Sequence, residues 1–293
     1  MNIGMVGLGR MGSAMAQRLR EQGFAVVGWD KNAGARQALS ACGLPIAADA
    51  GAVAAQSDVV ISSITDDHGA REIFAGPQGF FAADVSGKLF IEMSTLQPMT
   101  GRELAPLVEA RGAALIEAPV LGTIPQARAG TLLAMVGARA ADFERARPVL
   151  LKLTRRIAYM GPNGSGYAMK LAANLGLGAY IQALAESLAL GVRQGLAVEQ
   201  MLDVILDGPV ACGWLKAKLD VLKGQSGEMT LDIRTLRKDF MSMVATGAVS
   251  GVPMPLAAGT LASLSAAVGA GYGDGDLAEM PKFLRETLLQ KFL

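Results

Sequence analysis

Seven short runs of apolar or β-branched residues punctuate the first half of the chain. They are Ile3 to Leu8, Ala25 to Asp30, Val59 to Ile64, Leu89 to Ser94, Leu115 to Val120, Leu132 to Gly137 and Arg156 to Met160. Segments with helical spacing of their apolar positions separate them. This alternation predicts a parallel sheet covered by helices, because parallel strands need long crossover connections and burial on both faces demands continuous apolar strands. The second half reads differently. From Tyr167 to Gln194 helical spacing runs without a proline, enough for about 42 Å of helix at ~1.5 Å per residue. Further helical patterns lie near Val198 to Leu206, Met229 to Val249, Pro255 to Val268 and Leu277 to Leu289, with no strand among them. The turn cluster Gly161-Pro162-Asn163-Gly164-Ser165-Gly166 separates the halves. The pattern predicts two domains, residues 1–162 built on a sheet and residues 163–293 all helical, joined by the long helix.

A length of 293 residues suits two domains. Hydrophobic residues make up 51% of the chain and the mean hydropathy is +0.34, which raises the question of a membrane span. The longest uncharged stretch, Phe240 to Gly273, is interrupted by Pro253, Pro255 and several glycines, so it reads as buried helix and not as a span of ~20 apolar residues. A formal net charge of +1 disfavours a polybasic nucleic-acid reader, and the low charge content of 18% disfavours disorder. The N-terminus enters a strand-like run at once, with no basic region ahead of it. The expectation is therefore a cytoplasmic protein beginning at Met1. Cys42 and Cys212 are unpaired in spacing and His68 is the sole histidine, so neither a disulfide nor a histidine metal site is expected.

Gly7-Leu8-Gly9-Arg10-Met11-Gly12 changes the picture most. It follows the first strand run and opens a helical pattern, and it has the spacing G-x-G-x-x-G. The first glycine allows the tight turn, the second lets a pyrophosphate approach the backbone, and the third permits close helix packing. The helix N-terminus then offers N–H groups to phosphate. Asp30 falls 18 residues after Gly12, at the end of the second run, where a carboxylate accepts hydrogen bonds from ribose hydroxyls. The sheet domain is thus read as Rossmann-type, binding NAD or NADP. Asp30 favours NAD, because a carboxylate repels a 2′-phosphate, although Lys31 and Arg36 lie near enough to contact phosphate themselves.

Four segments in order resemble the β-hydroxyacid dehydrogenase family, over nearly the whole chain. The first is the glycine turn extended to Gly7-Leu8-Gly9-Arg10-Met11-Gly12-Ser13-Ala14-Met15-Ala16. The second is Glu117-Ala118-Pro119-Val120-Leu121-Gly122-Thr123 with Gly130-Thr131-Leu132. The third runs from Gly161 to Lys170 and on to Asn174, and the fourth is the pair Lys238-Asp239. The resemblance implies that Lys170 is the general acid/base and that Asn174, with Leu121, Gly122 and Thr123, contacts substrate. It further implies cofactor contacts by Ile64, Thr65, Thr95 and Lys238, and a homodimer or homotetramer. Hydride transfer at a carbonyl needs a group that donates or accepts the alcohol proton. Lysine suits this when a desolvated cleft lowers its pKa from the usual ~10.4. Asn174, at i+4 from Lys170, shares its helical face.

Leu121 departs from the family's pattern, which has serine there. A hydroxyl for the substrate carboxylate is lost, leaving the Gly122 and Thr123 N–H groups and the Thr123 hydroxyl to hold an anion, or an apolar wall for a bulkier, less polar substrate. The expected activity is NAD(P)-dependent oxidoreduction of a small 3-hydroxy acid or its semialdehyde. Three alternatives stand beside it. A 6-phosphogluconate-type enzyme is disfavoured by Ala173, where that branch carries histidine. Imine reduction is disfavoured by Lys170 and left open by Leu121. A catalytically silent nucleotide-binding interaction protein would not need Lys170 and Asn174.

Overall fold

A computed structural model describes residues 1–227 and 229–290. The chain divides into two compact units, Met1–Ala172 and Ala173–Leu293. In the first unit eight strands form one sheet: β1 (Asn2–Val6), β2 (Ala25–Trp29), β3 (Val59–Ser62), β4 (Leu89–Glu92), β5 (Ala114–Glu117), β6 (Val120–Leu121), β7 (Leu132–Gly137) and β8 (Thr154–Gly161). The helices between them are α1 (Arg10–Glu21), α2 (Ala33–Ala41), α3 (Ala50–Gln56), α4 (Asp67–Ala75), α5 (Pro98–Glu109), α6 (Ile124–Ala129) and α7 (Ala140–Leu153). The order across the sheet is β2-β1-β3-β4-β5-β7-β6, with β8 also on β7.

The five strands from β2 to β5 are parallel, as the continuous apolar runs predict. The expectation of a wholly parallel sheet does not extend further, since β7 pairs antiparallel with β5 and β6. The reason lies in the connection. Between β5 and β7 the chain has the two-residue β6 and one helix, the six-residue α6, about 9 Å long at 1.5 Å per residue, too short for the helical crossover that a parallel neighbour requires. Core side chains lie on both faces of the sheet. Ile3, Met5, Ile61, Ile91 and Ile116 pack toward α1 and α7, while Val6, Val60, Phe90 and Leu115 pack with Phe74, Phe80 and Tyr167.

The long helix α8 (Ser165–Arg193) begins in the first unit and continues through the second. Among the described residues it is the one helix long and apolar enough to cross a membrane. Its buried side chains include Tyr167, Leu171, Ile181, Leu184, Ala185 and Leu188, while 39% of its most apolar stretch is buried and Leu190 is exposed. The second unit adds α9 (Val198–Asp207), α10 (Gly213–Leu222), α11 (Ile233–Ser250), α12 (Pro255–Gly269) and α13 (Met280–Gln290).

The stretch Phe240 to Gly273 is helical but broken. Gly251 ends α11 in the left-handed region (φ 68°) and Pro255 opens α12, the arrangement expected of a glycine C-cap and an N1 proline. Helix α10 goes unread in the sequence, because Gly208-Pro209 and Gly213 resemble a continuing loop. What orders it is packing: Leu215 and Leu222 join Leu184, Leu188 and Leu202 in one cluster, and Trp214 meets Tyr180 edge to face. Lys218 of α10 is buried and paired with Asp276 at 2.7 Å. Gly178 of α8 lets α11 come close, since a Cβ there would lie 2.3 Å from the Phe240 ring.

Candidate active site

The three glycines of the N-terminal turn have three different surroundings. Gly7 has φ 89°, and a Cβ on it would lie 2.1 Å from the Ser63 carbonyl oxygen. A Cβ on Gly12 would lie 1.9 Å from the Gly7 carbonyl oxygen. Both are demanded by the fold itself. Around Gly9, by contrast, a Cβ would meet nothing within 4 Å. Gly9 is also the N-cap of α1, with no side-chain cap and no acidic residue in the first turn. An exposed, uncapped helix N-terminus over a glycine with open space beside it fits a dinucleotide pyrophosphate.

Asp30 closes this turn from β2. Its carboxylate accepts from the Leu8 N–H at 2.6 Å and from the Asn32 N–H at 2.7 Å, so the acid is held at the glycine turn. The Arg36 guanidinium donates to the Asp30 and Lys31 carbonyl oxygens, which places a cation at the same strand end. Ile64 lies on the other side, its Cγ2 3.3 Å from where a Gly7 Cβ would be. The exposed Thr65 follows it and partly buried Thr95 follows Ser94.

A buried carboxyl organises those strand ends. Glu92 accepts a short hydrogen bond from the Ser62 hydroxyl and another from the Ser94 N–H at 2.6 Å. The Ser94 hydroxyl in turn accepts from the Ile64 N–H at 2.7 Å. Ser94 therefore ties the loops after β3 and β4 together and does not cap α5, whose first turn is held by Asp67 through Gln97 and Thr100. Burial pushes the Glu92 carboxyl up to about 7 against the pull of its hydrogen bonds. Glu92 stands out in the sequence only as an acid inside an apolar run.

Lys170 is partly buried on α8, and its Nζ donates to the Val120 carbonyl at 2.8 Å. Leu121 and Gly122, the next two residues, are exposed. The structure thus sets the lysine against the segment the sequence singles out for substrate. Thr123 is differently engaged: its N–H and its hydroxyl both donate to the Gln126 carboxamide oxygen, at 2.8 and 2.6 Å, in a capping box that starts α6. Those donors serve the helix in this conformation, and Gly122 supplies the remaining backbone N–H.

In the second unit Asn174 is buried and donates from Nδ2 to Asp239 Oδ2 at 2.7 Å, while Lys238 Nζ lies 2.8 Å from Asp239 Oδ1. Asp239, itself buried, holds both residues that the sequence nominates. It went unselected there as the acidic half of a Lys-Asp pair. His68 is on the surface beside Glu72, and among the described residues no cluster of metal-ligating side chains occurs.

Comparison with known proteins identifies the family. Residues 2–161 match the NAD binding domain of 6-phosphogluconate dehydrogenase, and residues 164–284 match the NAD-binding domain family of NADP-dependent 3-hydroxyisobutyrate dehydrogenase. A 2-(hydroxymethyl)glutarate dehydrogenase of Eubacterium barkeri is 31% identical over 96% of this chain and 93% of its own. Glyoxylate/succinic semialdehyde reductase 1 of Arabidopsis thaliana is 28% identical over 98% of this chain and all of its own. The structure of Mycobacterium tuberculosis 3-hydroxyisobutyrate dehydrogenase with L-serine superposes with a TM-score of 0.85 at 28% identity, covering 97% of this chain and 99% of that one. The chain belongs to the β-hydroxyacid dehydrogenase family. It is an NAD(P)-dependent oxidoreductase acting on CH–OH groups.

Proposed function

We propose that this chain interconverts a small 3-hydroxy acid and its semialdehyde or aldehyde, with NAD preferred over NADP and Lys170 as general acid/base. The observation that carries the reading is the Lys170 Nζ held 2.8 Å from the Val120 carbonyl, immediately before Leu121-Gly122-Thr123. The nicotinamide supplies or accepts the hydride when bound. In reduction the protonated Lys170 donates its proton to the carbonyl oxygen, and in oxidation the neutral amine takes the hydroxyl proton. Asn174 orients the substrate, and Lys238 contacts the cofactor. Asp30, fixed by two backbone N–H groups at the end of β2, supports the preference for NAD. The relatives named for 3-hydroxyisobutyrate and 2-(hydroxymethyl)glutarate supply the substrate class, since each compound carries a hydroxymethyl group on the carbon beside a carboxylate. The assembly is read as a homodimer or homotetramer.

Leu121 carries the one qualification of substrate. It is exposed where the family's serine would offer a hydroxyl, and this favours a substrate bulkier or less polar than 3-hydroxyisobutyrate. A panel of hydroxy acids, semialdehydes, bulkier carbonyls and imines, followed by NAD(P)H absorbance with both cofactors, tests the reading. Highest kcat/KM on a 3-hydroxy acid or its semialdehyde with NAD is expected. Turnover confined to imines, or none on any member, would overturn it. Lys170→Ala is expected to lower kcat by about 10² or more while cofactor binding, followed by fluorescence, stays within about twofold. Near-parental turnover in that variant would remove Lys170 from the chemistry.

A further inference from the structure

Glu117, at the end of β5, lies in a hollow cleared by glycines on three elements. A Cβ on Gly101 of α5 would lie 1.8 Å from Glu117 Oε1, and one on Gly137 of β7 would lie 2.6 Å from Oε2. A Cβ on Gly166 of α8 would press on the Glu117 Cβ at 3.3 Å. Into this hollow the start of α8 turns its amides. The Gly164 N–H donates to Oε1 at 2.5 Å, while the Asn163 side chain beside it donates to the Leu115 and Gly137 carbonyls and so holds the same turn against β5 and β7. Three residues after Glu117, the Val120 carbonyl accepts from Lys170 Nζ. The segment from Glu117 to Val120 is therefore gripped twice by α8, at the helix start through Glu117 and a turn further on through Lys170.

A carboxylate at a helix N-terminus complements the helix dipole, but burying one costs far more than burying an apolar side chain of that size. The cost is visible here. Burial pushes the Glu117 carboxyl up to about 7 in spite of its hydrogen bonds, and Oε2 is buried with no hydrogen-bond partner among the described residues. An apolar residue would fill a structural wall at lower cost. What it could not do is accept the Gly164 N–H that starts α8.

We propose that Glu117 is a positioning residue for Lys170: its carboxylate fastens the first turn of α8 to β5 and so sets the lysine ammonium on the Val120 carbonyl beside the substrate segment. The catalytic consequence rests on Lys170 being the acid/base; the positional claim does not. The charged and titratable groups around this anchor are Glu92 on β4, which is its register partner, Asp67 on α4, Tyr167 and Lys170 on α8, and Arg102 on α5, whose Nε lies 2.6 Å from where a Gly164 Cβ would be.

The test compares the full-length protein with Glu117→Gln and Glu117→Asp. Lysines are acetylated with acetic anhydride at pH 8, and the rate at Lys170 is read by mass spectrometry against that at exposed Lys31. In Glu117→Gln the Lys170 rate is expected to change at least about fivefold while Lys31 is unchanged, and Glu117→Asp restores the parental rate to within about twofold. On the best substrate of the panel, kcat falls about tenfold or more in Glu117→Gln with the cofactor KM held within about twofold. Parental Lys170 labelling in a folded Glu117→Gln protein overturns the proposal. Should that variant not fold, amide exchange of the parent decides: protection of the Gly164 amide, corrected for intrinsic rate, is expected to fall severalfold from pH 8 to pH 6, and constant protection overturns it. If Lys170→Ala retains turnover while Glu117→Gln alters Lys170 labelling, the acid/base reading fails and the positioning stands. The reverse pattern fails the positioning alone.

Discussion

Gly7, Gly9 and Gly12 share one turn but answer to different forces. Gly7 and Gly12 stand where a Cβ would run into backbone oxygen at about van der Waals overlap, 2.1 and 1.9 Å away, whereas Gly9 faces open space in an ordinary extended conformation with φ −64°. Alanine at Gly12 is therefore expected to destabilise the fold by a few kcal/mol, as overpacking and backbone displacement do. Alanine at Gly9 is expected to leave thermal stability within about 0.5 kcal/mol and to weaken NAD(H) binding about tenfold or more, because its methyl enters the space through which a pyrophosphate approaches. Differential scanning fluorimetry beside a fluorescence titration separates the two. A Gly9→Ala protein with parental affinity would show that the open space is not where phosphate binds. The same residue-scale view explains why Glu92, Glu117 and Asp239 were hard to single out from the chain alone. Glu92 is a lone acid in an apolar run, while Glu117 and Asp239 stand inside family-like segments that do not say what each carboxyl holds, and their partners lie 30, 47 and 65 residues away in sequence.

At the scale of elements, Ser62, Glu92 and Glu117 are register partners across β3, β4 and β5. Two buried carboxyls on adjacent strands make the sheet sensitive to pH. Burial raises both from the usual 4.5 to about 7, so the folded protein keeps them protonated over a range in which the unfolded chain ionises them. Their contribution to stability is full below pH 4.5 and is lost as pH rises through about 7. For one group that amounts to about 3 kcal/mol. Glu92→Gln, which cannot ionise, is expected to gain stability relative to the parent by an amount of this order between pH 4.5 and pH 8, read from unfolding curves at each pH. A difference that stays constant over this range would mean that Glu92 is ionised in the fold at neutral pH. Element boundaries were legible wherever a single periodicity ran on, as in α8 and in the strands of the parallel half. They were hard to read at α10, where Gly208, Pro209 and Gly213 ahead of it signal a turn although Leu215, Leu219 and Leu222 keep helical spacing and pack with α8 and α9.

For the molecule as a whole, a formal net charge of +1 supplies little long-range attraction for an anionic cofactor or substrate. Recognition is then expected to depend on placed groups such as the α1 N-terminus, whose first turn carries no acidic residue. Long-range steering is steeply dependent on ionic strength, whereas short-range contacts within a Debye length of about 8–10 Å are less so. Raising salt from about 0.05 M to 0.3 M is expected to change kcat/KM for the cofactor by less than about threefold. A tenfold loss would reveal a steering field that the overall charge does not suggest. In the first unit the apolar residues are buried on both sheet faces, whereas in the helical unit Leu190, Val204, Val249 and Leu256 are exposed.

Strand and helix periodicity, the glycine turn and the four ordered motifs were enough to define the α/β and helical halves, the dinucleotide and the oxidoreductase class. These are local properties, written in spacing along the chain. The antiparallel insertion of β7, the helix α10 and the hydrogen-bond partners of the buried carboxyls Glu92, Glu117 and Asp239 came only from tertiary structure, because each depends on what lies opposite in space. A six-residue helix too short to cross over turns a strand around, leucines from distant helices pack against a segment that follows a Gly-Pro turn, and three glycines from three elements open the hollow in which one glutamate meets the helix that carries the lysine.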